Sequence, residues 1–151
     1  MELLKLVALD RDDLEVVSTH LQDATLSVGD VHWRRAEKRL VISLARFDWE
    51  GSLCESAQFQ RRRTALRFDR VNAIKCRNVD CRNKQAILNL LAVEFDDGDP
   101  PGGVVTLIFS GGAALRLEVE CLECELVDLG PVWTETCRPT HVEDVDDIRT
   151  A

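Results

Sequence analysis

A chain of 151 residues with 45% apolar and 30% charged residues is one ordinary globular domain, large enough to bury about two-thirds of its unfolded surface. No window approaches the roughly 18 apolar residues of a membrane span, and the opening M-E-L-L-K-L-V-A-L-D-R-D-D is too acidic for a secretory signal. A net charge of −8 and a pI near 4.9 argue against constitutive duplex binding, where a basic balance is usual.

Cytoplasm is therefore the expected compartment, and the six cysteines are expected as free thiols. The charge is unevenly spread. Residues 34–84 carry 14 Lys or Arg against 6 Asp or Glu, a balance of +8, and the rest of the chain carries −16. Such separation bears on partner sign and self-association, not on fold.

Leu3 to Ala8 reads as a first strand. A helix follows, predicted over Asp12 to Ala24. Asp10 can cap its free N–H groups, Leu9 can staple against Leu14, and Leu14, Val17, Leu21 and Ala24 mark one face at spacings of three and four. Leu26, Val28 and Val31 to Trp33 continue as strand around a Gly29-Asp30 turn. Arg35 to Lys38 is a turn, and Arg39 to Asp48 returns as a strand. Glu50 to Arg63, with weak periodicity, reads as a loop, and Ala65 to Ile74 as a single strand. Cys76 to Gln85 is polar loop. Ala86 to Phe95 is apolar enough to suggest a strand buried on both faces, and Asp96 to Gly103 is turn chemistry.

The clearest signal is V-V-T-L-I-F-S-G-G-A-A-L-R-L-E-V, residues 104–119, where apolar and polar residues alternate on both sides of two glycines. That period of two marks an antiparallel hairpin. A two-residue loop would set Leu107 against Arg116. A three-residue loop, Ser110-Gly111-Gly112, pairs Phe109 with Ala113, Leu107 with Leu115 and Val105 with Leu117, so the faces agree. Gly112 then supplies the left-handed third position. Beyond Val119 the parity switches, which predicts a bulge near Glu120-Cys121.

Few motifs carry chemistry. Arg61, Arg62, Arg63, Arg67 and Arg70 are the best anion-binding candidates, because forked guanidinium donors suit phosphate and carboxylate. Successive strand residues splay to both faces, however, and contact with the chain's own acids is the competing explanation. Arg46 and Trp49, in R-F-D-W-E, could form an interaction rim. Cys121, Cys124, Cys137 and His141 have zinc-like spacing, but Gly130-Pro131 and Pro139 interrupt the helix a zinc finger would need. No cofactor is implied. Cys76 and Cys81, flanked by Arg77 and Arg82, could have lowered thiol pKa values, against the plainer reading of two thiols in a polar loop. Phosphate-loop, dinucleotide, nucleophile-elbow and zincin motifs are all missing, which weighs against an enzyme.

R-F-D-W-E at 46–50, R-R-R-T-A-L-R-F-D-R-V at 61–71, S-G-G-A-A-L-R-L-E-V-E-C at 110–121 and D-L-G-P-V-W at 128–133 resemble a small alphaproteobacterial family, domain of unknown function 2948. The resemblance spans nearly the whole chain. It implies a single-domain cytosolic bacterial protein and brings no catalytic residues with it.

The expected fold is α+β, one domain over 1–151. One amino-terminal helix packs on a strongly bent antiparallel sheet, or two packed sheets, of six to eight strands. A barrel-like closure resembling pleckstrin-homology folds is an open alternative, and the acidic tail at about 141–151 is expected to be loosely held. The leading functional expectation is a non-enzymatic interaction module that joins a protein partner or a second copy through complementary charge. An anion-ligand protein and a zinc protein are the alternatives.

Overall fold

The computed structural model describes residues 4–47, 59–129 and 133–135. Among them, β1 (Lys5–Ala8) leads into α1 (Arg11–Leu21), and ten further strands follow: β2 (Ala24–Ser27), β3 (Val31–Arg34), β4 (Arg39–Phe47), β5 (Phe59–Phe68), β6 (Val71–Arg77), β7 (Ile87–Asp97), β8 (Gly103–Phe109), β9 (Ala114–Val119), β10 (Cys124–Asp128) and β11 (Trp133–Glu135). All pairings are antiparallel, in the order β1-β10-β5-β4-β2-β7-β8-β9-β6, with β3 on β4 and β11 on β5. The α+β class and the bent antiparallel sheet agree with expectation. Two refinements do not. The described residues supply eleven strands instead of six to eight, and the strand order ends at β1 and β6 without closing into a barrel.

The helix starts as its sequence dictates. The Asp10 carboxylate accepts the Asp13 N–H at 2.8 Å, and Asp13 accepts the Leu9 N–H in return at 3.3 Å. Leu14, Val17 and Leu21 are buried, each worth about 1.5–3 kcal/mol against exposure. Leu9 is 62% exposed, so the staple does not form. Asp23, with φ of 65°, turns the chain early, and Ala24 opens β2 instead of closing the helix. Ser18 on α1 accepts the Val93 N–H at 2.9 Å, beside the register shift between Leu90 and Ala92.

The hairpin has the predicted register. Leu107 pairs with Leu115 and Val105 with Leu117, and the Phe109 N–H bonds to the Ala113 carbonyl. Gly111 and Gly112 both have positive φ, 76° and 79°.

Two expectations fail around 69–70 and 120–123 for one reason. Phe68 pairs with Cys124 and Val71 with Val119, so β5–β6 and β9–β10 form one ladder broken by two facing corners. The corners hold each other through Asp69 N–H to Glu123 C=O and Glu120 N–H to Arg70 C=O. The parity change after Val119 is therefore a corner between strands, not a bulge within one. Ala65 to Ile74 is likewise two strands, with Arg70 at φ 60° between them. The corner and the narrow β2–β4 contact, a single Thr25–Ala45 pair, together fold the sheet into two halves. One core fills the space between, from Ile42, Leu66 and Phe68 on one half to Leu90, Leu107 and Leu117 on the other.

Two other assignments change. Residues 59–63 belong to β5, not to a loop. β7 is buried on one face only, because Ile87 and Leu91 are 65% and 43% exposed.

Candidate functional site on the outer sheet face

Alternation along β4, β5 and β10 sends one set of side chains into the core and the other outward. Outward, the register stacks two rows across the sheet. One is Val41, Arg67, Glu125 and Val7; the other is Ser43, Ala65, Val127 and Lys5. The 3-10 turn at Arg35–Glu37 raises an edge beside them. The result is a groove of about 500 Å³. Its floor is apolar, from Val41, Ala65, Val127 and Leu129, and its walls carry Arg34, Arg39 and Arg67 with Glu37 and Glu125.

The charges here already engage one another. Arg39 Nε lies 2.7 Å from Asp69 Oδ1, Arg67 Nε 3.1 Å from Asp69 Oδ2, and Arg67 Nη2 3.1 Å from Glu125 Oε1. Lys5 Nζ extends the chain to Glu125 at 3.9 Å. The sign alternates along Lys5, Glu125, Arg67, Asp69 and Arg39. The hydrogen bond from Arg39 to Asp69, then the Asp69 charge, raises the guanidinium's already high pKa.

Inward, the end of the same strands holds a buried polar cluster. Asp128 accepts two bonds from Arg46, Nε to Oδ1 at 2.9 Å and Nη2 to Oδ2 at 2.8 Å. Thr64 Oγ1 donates to Oδ1 at 2.9 Å and the Leu4 N–H to Oδ2 at 2.8 Å. Arg62 Nε stands 3.8 Å away. Burial alone would raise the Asp128 pKa. The Arg46, Leu4 and Thr64 hydrogen bonds and the Arg46 charge outweigh it and hold the carboxyl below its ordinary range.

These placements decide what the candidate residues can do. Arg62 points inward to Asp128, whereas Arg63 points outward and donates to Ser43 Oγ at 3.1 Å. Arg67 joins the outer network, and Arg70 sits at the corner with Glu123 at 3.1 Å. Arg61 lies in β5 opposite Phe47; its side chain is outside the described residues. Among the described side chains, Arg62, Arg63, Arg67 and Arg70 do not converge on one point, because strand alternation separates neighbours. Arg46, expected on an interaction rim, is 3% exposed and turned toward Asp128; Trp49, its expected companion, lies outside the described residues. Of the zinc-like set, Cys121 is half-buried and Cys124 is a core residue whose thiol burial pushes up. Cys137 and His141 are outside the described residues, and among those described no three His, Cys, Asp or Glu cluster as a metal site.

Sequence reading missed the Asp128 cluster. Leu40, Ile42 and Leu44 share one parity, and the next residue on it is Arg46. Leu66 and Phe68 share theirs with Thr64 and Arg62. Charges on a buried parity were the available signal.

Among the described residues no helix is long and apolar enough to cross a membrane. A family model described as a protein of unknown function, DUF2948, matches residues 4–141. No curated protein and no solved structure matches the chain.

Proposed function

We propose that this chain, which belongs to the DUF2948 family, is a non-enzymatic interaction module that docks a polypeptide on the outer face of β4, β5 and β10. The alphaproteobacterial, cytosolic setting inferred from its motifs is part of the same reading. One observation carries it: an apolar floor lies open between charges of both signs that already compensate one another. Leu129, at 54% exposure, opens the floor to solvent, and Val7, at 52%, extends the apolar surface beyond the groove.

The mixed charge favours a protein partner. A nucleic acid or a bare phosphate gains affinity from cations free to replace counterions. Here an incoming anion would have to displace Asp69 or Glu125 from Arg67. A polypeptide can cover the apolar floor and answer both signs at the rim. A second copy satisfies the same requirement, because a face bearing both signs can complement itself.

Site-directed photocrosslinking tests this. A benzoylphenylalanine replacing Val127, which is half-buried on the face, should give a discrete adduct in cells. The same probe replacing the exposed Glu94 on β7 should not. An adduct of twice the chain mass identifies a second copy, and any other fixed mass another protein. No adduct from position 127, or identical products from both positions, overturns the reading.

A further inference from the structure

The Cys76 and Cys81 sulfurs lie 3.9 Å apart, and both residues are exposed. Cys76 is near the end of β6, opposite Leu115; Cys81 is in the turn that follows. Their proximity is built by the chain around them. Asn78, at φ 54°, reverses the backbone just after the strand. Its side-chain amide donates to the Gly112 carbonyl at 3.1 Å and ties the turn to the β8–β9 hairpin. Asp80 accepts the Arg82 N–H at 3.1 Å and, through its carbonyl, the Asn83 N–H at 3.1 Å. The far end is tied by Gly29 N–H to Lys84 C=O at 2.8 Å and Val28 N–H to Ala86 C=O at 2.9 Å. Cys81 is thus held over Cys76 by a turn anchored on both sides. Its thiol faces the Cys76 sulfur and the Val79 carbonyl, each at 3.9 Å.

We propose that Cys76 and Cys81 are a redox-active dithiol that closes reversibly to an intramolecular disulfide by exchange with an anionic low-molecular-weight disulfide. A disulfide needs its sulfurs about 2.05 Å apart, so closure asks for an approach of about 1.9 Å. Small side-chain rotations at two exposed cysteines supply that. In the exchange, one protein thiolate attacks a sulfur of the external disulfide, forming a mixed disulfide and expelling one small thiolate. The other protein thiolate attacks the protein-bound sulfur, forms the Cys76–Cys81 bond and expels the second. Two electrons pass to the external disulfide, and the two protein thiol protons end on the two small thiols.

Arg77 and Arg82, both exposed beside the pair, favour a partner bearing carboxylates. They do not activate Cys76 as the sequence suggested. Burial, followed by the hydrogen bond and charge of Cys81, pushes the Cys76 thiol up. Cys76 is therefore suited to equilibrium exchange more than to rapid peroxide sensing, which needs a low-pKa thiol.

The test uses the full chain, reduced and then equilibrated with stepped ratios of reduced to oxidised glutathione, acid-quenched and alkylated. Wild-type protein should lose two hydrogens, with Cys76 and Cys81 escaping alkylation together and recovered in one crosslinked peptide. Cys76→Ser and Cys81→Ser should instead each retain one glutathione at the remaining thiol under the same conditions. Far-UV circular dichroism of the variants should match the wild type, since both side chains are exposed. Independent alkylation of Cys76 and Cys81 at every ratio overturns the proposal. So does crosslinking confined to other cysteines.

Discussion

Asp128 answers two buried guanidinium groups with a single carboxylate, and its four close contacts come from three separate parts of the chain. Removing the charged acceptor of a buried, hydrogen-bonded ion pair leaves its desolvation less compensated, at a cost of about 3–5 kcal/mol. Asp128→Asn should therefore destabilise by about that amount in urea unfolding. Thr64→Val, which removes one donor to a charged acceptor, should cost about 1–3 kcal/mol. The pH dependence follows from the depressed native pKa. The unfolded carboxyl binds its proton near its ordinary value, about 3.9, while the native one resists. Stability from Asp128 is thus complete above that value and lost as pH falls through the lower native pKa. The gap between wild type and Asp128→Asn should be flat above about pH 5 and shrink below about pH 4. A gap under about 1 kcal/mol, or one indifferent to acid, would remove this cluster from the account of stability.

At the scale of elements, the β8–β9 hairpin and the corners show what local pattern can and cannot specify. The hairpin register was readable because alternation on both strands admits just one loop length that keeps Leu107 facing Leu115. Its glycines make a quantitative demand. Gly112→Ala places a Cβ at φ 79° and should cost about 1–2 kcal/mol. Gly98→Ala, where a new Cβ meets only ordinary contacts at 3.6 Å and beyond, should be neutral or stabilise by about 0.4–1 kcal/mol. Equal thermal shifts for the two would refute the loop geometry. The corners were not readable in the same way. The parity change at Val119 is visible in sequence, but a bulge and a corner produce the same change. Only the opposite corner at Asp69-Arg70, some fifty residues earlier in the chain, decides between them. The site divides likewise. Outward Arg63 and Arg67 and inward Arg62 follow from strand parity once β5 is recognised. The 3.9 Å approach of Cys76 to Cys81 depends on Gly29 and Gly112, neither of them near in sequence.

For the whole molecule, the question is whether two sheet halves joined by one β2–β4 residue pair and one corner behave as two units or one. Among the described residues few backbone bonds cross between them, which would favour separate opening. The side chains argue otherwise. Ile42 on β4 and Leu107 on β8 are both 0% exposed and belong to one continuous cluster. Helix α1 adds to the coupling by packing on β7, β1 and β4 together. A residue removed from either half therefore opens a cavity in a core that both halves share. Ile42→Ala and Leu107→Ala should each lower global stability by about 2–5 kcal/mol. In native-state hydrogen exchange, each should reduce the protection of the slowest amides in β4–β5 and in β7–β8 by the same free energy. If Leu107→Ala loosens β7–β8 and leaves β4–β5 unchanged, the halves open separately. The corner would then be a hinge between two cooperative units, and the outer groove could persist on its own half while the hairpin half opens.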